Sequence, residues 1–94
     1  MDKRLNNIGL AYRAKKTLLG EEVLNKISKV KLLFLASDIS EKSKERFLKK
    51  CFFYNIEYID IYSGEELSRI VGKNNVKVIG IIDDGFAKML IKND

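Results

Sequence analysis

Apolar side chains recur along this chain at two spacings, one typical of helices and one typical of strands. Helical spacing occurs in five segments and predicts five helices. The first two cover residues 2–14 and 21–29. The other three are expected to begin at Asp38, at Ser63, and at Asp83 or Asp84.

Capping signals define the limits of the later helices. Asp38-Ile39-Ser40-Glu41 and Ser63-Gly64-Glu65-Glu66 both match the spacing of a capping box, which predicts the starts of the third and fourth helices. Gly72 stands where the fourth helix is expected to end. The buried stripe of the third helix is predicted to consist of Phe47, Leu48, Cys51 and Phe52.

Short apolar runs between the helices predict four strands, over residues 17–19, 31–36, 57–62 and 76–82. The second is continuously apolar after Lys31, which is typical of a strand covered on both faces. Because strands alternate with helices, we predict an α/β fold with a largely parallel or mixed sheet and helices on both faces. Such folds bind ligands beyond the carboxyl ends of their strands. The candidate segments are therefore Gly20–Glu22, Ser37–Asp38, Ser63–Glu65 and Asp83–Gly85.

Composition narrows the function. A chain of 94 residues fits a single domain. Its 18 basic and 13 acidic residues give a net charge of +5, which suits an anionic partner such as nucleic acid or an acidic membrane surface. There is no histidine and only one cysteine, Cys51, so a zinc site, histidine-based acid–base catalysis and an internal disulfide are not expected. We predict a protein without cofactor that is not an enzyme.

Cellular location is predicted from what the chain does not display. The start is polar and lacks the apolar core of a signal peptide. The longest apolar runs, residues 32–36 and 78–82, are too short to span a bilayer. We therefore expect a cytoplasmic protein that does not contact membranes.

Several short motifs, in order and over residues 8 to about 90, give the chain a family likeness. They are Ile8-Gly9-Leu10-Ala11, Leu19-Gly20-Glu21-Glu22 with Lys26, Phe34-Leu35-Ala36-Ser37-Asp38, Cys51–Ile56 with Tyr58, Glu66-Leu67 with Gly72, and Gly85-Phe86-Ala87-Lys88. This order resembles the kink-turn RNA-binding ribosomal protein superfamily (ribosomal proteins L7Ae, L30e and S12e), and within it the bacterial YlxQ-like branch. The resemblance implies a three-layer α-β-α sandwich that binds RNA, with residues 1–94 forming one such domain.

The resemblance also implies a site. In the family, the second helix points its N-terminus into the widened groove of a kinked RNA. Gly20 has no Cβ to hinder the approach of RNA, and the free N–H groups of a helix start attract anionic oxygens. Lys26 is placed to reach phosphate or a guanine edge. The implied RNA-contacting residues are Lys15, Lys16, Thr17, Gly20, Glu21, Glu22, Lys26, Ser37, Asp38, Lys73, Asn74 and Asn75.

One departure from the family pattern affects this site. High-affinity members carry Asn-Glu two and three residues after the glycine, where the pair reads sheared G·A base pairs. Here those positions are Glu22 and Val23. Val23 cannot form a hydrogen bond, and Glu22 can only accept one, for example from an exocyclic amino group.

Other charged and aromatic residues have plainer explanations. Lys15 and Lys16 are expected beside the Gly20 site as phosphate anchors, or else in a solvated loop. The third helix carries Lys42, Lys44, Arg46, Lys49 and Lys50, which we expect to form a solvated face with pairs such as Glu45–Lys49. Most aromatic side chains are expected in the core, although Phe53 and Tyr54 cannot both be buried on the face that holds Phe52.

Three functional hypotheses follow. The first is a monomeric protein that binds ribosomal or other structured RNA, with ribosome- or translation-associated proteins as further partners. The second is a protein-interaction module of the same fold that has lost specific RNA recognition, which Val23 favours. The third is a metal-dependent hydrolase using Asp38 and Asp83, against which helix capping by these aspartates weighs.

Overall fold

Four short strands of residues 2–92 form one sheet. The structure is a computed structural model and describes residues 2–92. The strands are β1 (Thr17–Leu19), β2 (Leu32–Leu35), β3 (Glu57–Ile59) and β4 (Val78–Ile81). Their order in the sheet is β1-β4-β2-β3. The β2–β3 pair is parallel, whereas β4 runs antiparallel to both of its neighbours, β1 and β2.

Helices occupy most of the remaining chain. They are α1 (Lys3–Arg13), α2 (Glu21–Asn25), α3 (Glu41–Tyr54), α4 (Gly64–Val71) and α5 (Asp84–Lys92). The helix predicted over residues 21–29 is divided at Lys26, so that α2 is followed by a 3₁₀ turn over Ile27–Lys29. Within residues 2–92, every helix is too short or too polar to cross a membrane.

Two hydrophobic cores lie on opposite faces of the sheet. Because successive side chains of a strand point to opposite faces, Leu32 and Phe34 of β2 enter one core while Leu33 and Leu35 enter the other. The first core receives apolar residues of α1, α4 and α5, and the second receives those of α2, the 3₁₀ turn and α3. All four β2 side chains are fully buried. This arrangement confirms the predicted α-β-α sandwich with a strand covered on both faces.

The direction of β4 makes the sheet mixed, with one parallel pair among its three. After β3, α4 and the turn at Gly72 bring the chain back to the end of the sheet that it had just left. There Ala36, just after β2, donates its N–H to the carbonyl of Lys77, just before β4 (2.8 Å). Consequently β4 runs against its neighbours, and the segments that follow β1, β2 and β3 share one end of the sheet with the segment that precedes β4.

The helix caps partly differ from prediction. Both hydrogen bonds of the predicted capping box are present: the Ser63 hydroxyl accepts from the N–H of Glu66, and the Glu66 carboxylate accepts from the N–H of Ser63. Gly72 ends α4 in the left-handed conformation (φ 74°). Asp83 accepts from the N–H of Phe86 at 2.9 Å, as expected for a cap of α5. The predicted cap of α3 is wrong: α3 begins after Ser40, whose hydroxyl accepts from the N–H of Ser43. The Asp38 side chain instead accepts hydrogen bonds from Gly64 and Lys77.

The end of α3 also differs from prediction. Phe47 and Cys51 are buried as expected, but Phe52 is 91% exposed. Its position fits the helical period, yet β3 is the edge strand of the sheet, and within residues 2–92 no further strand extends the second core beneath the last turn of α3. The predicted Glu45–Lys49 pair is likewise wrong, since no salt bridge joins these two residues.

Candidate functional site

Four segments meet where β1, β2 and β3 end and β4 begins. They are Gly20–Glu22, Ser37–Asp38, Ser63–Glu65 and Asn74–Lys77, and we call the area that they form the strand-end surface. The first three of these segments were predicted from the rule that ligands bind beyond the carboxyl ends of strands. The fourth includes Asn74 and Asn75, which were predicted from the family resemblance.

The start of α2 is open on this surface. Gly20 precedes the helix with φ 58° and ψ −132°, a conformation available in practice only to glycine. Among the described residues, no atom lies within 4 Å of a Cβ placed on Gly20, and no side chain caps the helix. The N–H of Gly20 donates to the carbonyl of Val78 at 3.1 Å, which ties this corner to β4. A ligand can therefore approach the backbone of Gly20 directly, and the hydrogen bond to Val78 fixes the position of that backbone.

Both glutamates at the start of α2 form ion pairs. Glu21 Oε1 lies 3.0 Å from the Arg46 guanidinium, and Glu22 Oε2 lies 3.5 Å from Lys26 Nζ. All four side chains are about half exposed or more. Lys26 thus stands at the predicted site, but it already has an acidic neighbour that an anionic ligand must displace.

Val23 does not belong to the ligand-facing side of α2. Its side chain is fully buried in the second core, on the same face of the sheet as Leu33 and Leu35. It also lies directly over Gly80 of β4, because a Cβ on Gly80 would come within 3.3 Å of Val23 Cγ2. Val23 therefore packs in the core and cannot contact a ligand. Of positions 22 and 23, only Glu22 presents an exposed side chain.

Asp38 connects three elements at the centre of the strand-end surface. Its Oδ1 accepts from the N–H of Gly64 at 2.8 Å, and its Oδ2 accepts from Lys77 Nζ at 3.1 Å. Asp38 therefore accepts from the first N–H of α4, beside the Ser63 cap, and does not cap α3. The hydrogen bond from Gly64, followed by the one from Lys77, holds the pKa of Asp38 below its ordinary value. These contacts fix the loop after β2 against the start of α4 and the start of β4.

Two adjoining open clefts make the strand-end surface concave. Their volumes are about 500 and 480 Å³, and Asp38, Asn75 and Lys77 line both. Gly20 and Glu21 line the first cleft, whereas Asn74 and Gly64 are among the residues that line the second. Together the clefts form a groove that offers backbone amides, side-chain amides and charges of both signs. Such a mixture suits hydrogen bonding to a polar ligand.

Some predicted site residues lie elsewhere. Lys15, Lys16 and Thr17 precede or begin β1 and therefore lie at the opposite end of the sheet from Gly20, about 10 Å away along the strand. The expectation that the two lysines flank the Gly20 site is wrong, because β1 separates them from it. Asp83–Gly85 follows β4 and, since β4 is antiparallel, also lies at that opposite end.

The remaining predicted residues are peripheral. Ser37 is exposed beside Asp38, and its N–H donates to the carbonyl of Tyr62. Lys73 is exposed in the turn after α4, lining neither cleft. Asp38 and Asp83 lie at opposite ends of the sheet, so they cannot share a metal ion. In the described part of the chain, no group of three potential metal ligands comes together.

The sequence matches a family of known proteins over most of its length. The model of the ribosomal protein L7Ae/L30e/S12e/Gadd45 family matches residues 5–91. The chain is 39% identical over 89 residues to the RNA-binding protein YlxQ of Enterococcus faecium, covering 92% of this chain and 85% of that protein. It is 34% identical over 87 residues to the RNA-binding protein YlxQ of Bacillus subtilis strain 168, covering 89% and 87% respectively.

Solved structures give the same fold. A Bacillus halodurans protein of unknown function matches with a TM-score of 0.89 and 36% identity, covering 97% of this chain and 95% of that one. A 15.5 kD RNA-binding protein of Giardia lamblia matches with a TM-score of 0.77 and 19% identity, covering 94% and 78%. At that identity the second match demonstrates the shared fold alone.

Proposed function

This chain belongs to the ribosomal protein L7Ae/L30e/S12e/Gadd45 family, and from that premise we propose that it binds structured RNA through the strand-end surface. Membership confirms the family resemblance seen in the sequence. The family and the relatives named above are non-enzymatic, which confirms the prediction that this chain is not an enzyme. We also propose that it acts in the cytoplasm, on ribosomal or other translation-associated RNA.

The open start of α2 is the observation that carries the proposal. Gly20 brings an uncapped helix start to the edge of a groove, and no Cβ shields it. Backbone N–H groups at such a position donate hydrogen bonds to phosphate or base oxygens without the entropy cost of ordering a long side chain. Asn74 and Asn75 on the far side of the groove add side-chain donors and acceptors. RNA shape is therefore read largely by backbone and amide groups.

The paired charges predict moderate affinity that depends on salt. Glu22 competes with RNA phosphate for Lys26, but exposed ion pairs of this kind contribute only about 0–1 kcal/mol. A phosphate can therefore take over Lys26 at little cost. Each such contact releases counterions from the RNA, so binding weakens as salt rises.

We also propose that the chain prefers a kink-turn RNA to an unkinked duplex, which requires more specific contacts than RNA binding alone. Glu22 offers only acceptors, and Val23 is buried, so the Asn-Glu pair of high-affinity family members has no equivalent here. We propose that a kinked duplex is favoured through the fit of its widened groove to the α2 start, with fewer base contacts than in those members. The preference over an unkinked duplex is accordingly expected to be modest.

Fluorescence anisotropy with a labelled kink-turn RNA and a fully paired duplex of equal length tests the proposal. We expect tighter binding to the kinked RNA and an affinity that falls linearly with salt on logarithmic axes. Lys26→Ala should weaken binding and reduce the salt slope by about one. Lys49→Ala removes the same charge from the outward face of α3 and should change little with these RNAs. Absence of binding at low salt would instead favour the protein-interaction module.

A further inference from the structure

Four aromatic side chains at the end of α3 and on β3 remain in solvent. Phe52 and Phe53 are 91% and 78% exposed, and Tyr54 and Tyr58 are each more than two-fifths exposed. Folding normally removes such large apolar surfaces from water, and exposed apolar patches commonly mark interaction sites. These four aromatic side chains lie outside the strand-end surface and have no role in the proposed function.

The aromatic residues form a shaped site. Tyr58 is opposite Leu33 in the β2–β3 pair, so its side chain lies on the α3 side of the sheet. There Phe52 and Tyr58 line a cleft of about 420 Å³, which we call the aromatic cleft; Leu48, Cys51, Asn55 and Ile56 complete its lining. On the same last turn of α3, Phe53 and Tyr54 pack edge to face, with ring centroids 5.0 Å apart.

Unpaired positive charge adjoins the aromatic cleft. Lys49 lies three and four residues before Phe52 and Phe53, so it shares the surface of the last turns of α3 with both rings. Lys50 stands in the same relation to Phe53 and Tyr54. Within residues 2–92 neither lysine forms a salt bridge, in contrast to Lys44 and Arg46 earlier on the same helix. Aromatic rings beside free cations are the combination that binds single-stranded nucleic acid without sequence preference.

Helix α3 connects the strand-end surface, at its start, with the aromatic cleft, at its end. Ser40 and Ser43, at the start of α3, line the first cleft of that surface, and Arg46 pairs with Glu21 beside it. From there α3 runs 14 residues to Tyr54, roughly 20 Å at 1.5 Å per residue. A nucleic-acid strand that leaves the strand-end surface along α3 therefore meets Lys49 and then the aromatic rings.

We propose that the aromatic cleft stacks unpaired bases of a single-stranded segment that flanks the structured RNA. The inference rests on the proposed function for its partner and adds a second contact, which recognises RNA by base stacking instead of by shape. An apolar protein surface is the less favoured occupant, because docking would strip water from Lys49 and Lys50, which then need acidic partners.

The test compares one structured RNA with and without a ten-uridine overhang, placed at either end in turn. Wild-type protein should bind one overhang form about tenfold more tightly than the blunt form, because stacking of one base on an aromatic side chain strengthens binding by roughly that factor. Phe52→Ala combined with Tyr58→Ala should remove this gain and leave blunt-RNA binding unchanged. Leu10→Ala is the matched control, since Leu10 is exposed on α1 at the other face of the sheet. Both sites are in solvent, so the variants should fold normally.

Free ten-uridine RNA separates failure of this inference from failure of the proposed function. Stacking on the cleft should quench the tyrosine fluorescence of the protein, which contains no tryptophan, and Phe52→Ala should reduce that quenching. Quenching without binding of the blunt RNA would sink the proposed function alone. Equal affinity for blunt and overhang RNA at both ends, with no quenching, would overturn the inference. So would self-association in sedimentation that Phe53→Ala abolishes while the overhang has no effect, since the patch would then be a protein interface.

Discussion

Replacing Glu22 by glutamine removes one negative charge from the start of α2 and retains a hydrogen-bond acceptor at the same place. Glu22 Oε2 lies 3.5 Å from Lys26 Nζ, and both side chains are about half exposed. The change therefore frees Lys26 and lowers the repulsion between this corner and RNA phosphates. We expect Glu22→Gln to bind structured RNA more tightly than the wild type.

The size of the gain follows from the exposure of the pair. A phosphate roughly 7 Å from Glu22 in a water-like dielectric is repelled by about 0.6 kcal/mol, and salt at 0.1 M reduces this only moderately over a distance shorter than the screening length. Release of Lys26 adds a few tenths of a kcal/mol, because exposed i, i+4 pairs contribute about 0.2–0.5 kcal/mol. Together these effects predict an affinity gain of about three- to fivefold.

Anisotropy titrations with blunt kink-turn RNA at 50, 100 and 200 mM salt measure the gain. It should shrink as salt rises, because screening weakens the repulsion that the substitution removes. Glu57→Gln is the matched control: Glu57 is an exposed glutamate at the start of β3, at the end of the sheet away from Gly20. An unchanged or weaker affinity for Glu22→Gln, or an equal gain for Glu57→Gln, would refute the placement of RNA at the α2 start.

Three further predictions concern the fold around these sites. Gly20→Ala should lower the free energy of unfolding by about 1–3 kcal/mol, because Gly20 has a backbone conformation reserved for glycine. Gly72→Ala should lower it less, because Gly72 is in the common left-handed region. Urea denaturation of the two variants measures the difference. Because the hydrogen bond from Gly64 lowers the pKa of Asp38, the charged carboxylate stabilises the fold above pH 3.8 and that stabilisation is lost as pH falls through the lower folded pKa. Asp38→Asn should therefore be less stable than the wild type at pH 7, and the difference should narrow below pH 3.8 in urea unfolding. Burial raises the pKa of the Cys51 thiol to about 11, so a thiol reagent at pH 8 should react slowly with the native protein and rapidly after unfolding.

Local signals in the sequence predicted much of the fold because they depend on near neighbours. The apolar run of β2 indicated burial on both faces, and the Ser63–Glu66 spacing indicated a capping box, as the structure has them. Gly20 was predicted to follow β1 and open α2, which a conformation limited to glycine explains. These features require no knowledge of what lies across the sheet.

Long-range pairing accounts for what the sequence could not predict. Asp38 fits a cap of α3 by spacing, yet its partners Gly64 and Lys77 are 26 and 39 residues away. Lys15 and Lys16 are a different case, because they precede β1 whereas Gly20 follows it, so their separation from Gly20 could have been predicted from the predicted strand alone. Phe52 matches the helical period of the buried stripe, and only the position of β3 at the sheet edge leaves it exposed.

A nitrogen–proton NMR titration with kink-turn RNA tests the RNA-binding claim most directly. The chain has no proline, so every residue after the first contributes a backbone amide signal. We predict that the largest shift changes occur at Gly20–Glu22 and at Asn74 and Asn75, while Lys15, Lys16 and Gly85 change little. Shifts concentrated at Lys15, Lys16 and Gly85, or no shifts at low salt, would contradict RNA binding at the strand-end surface.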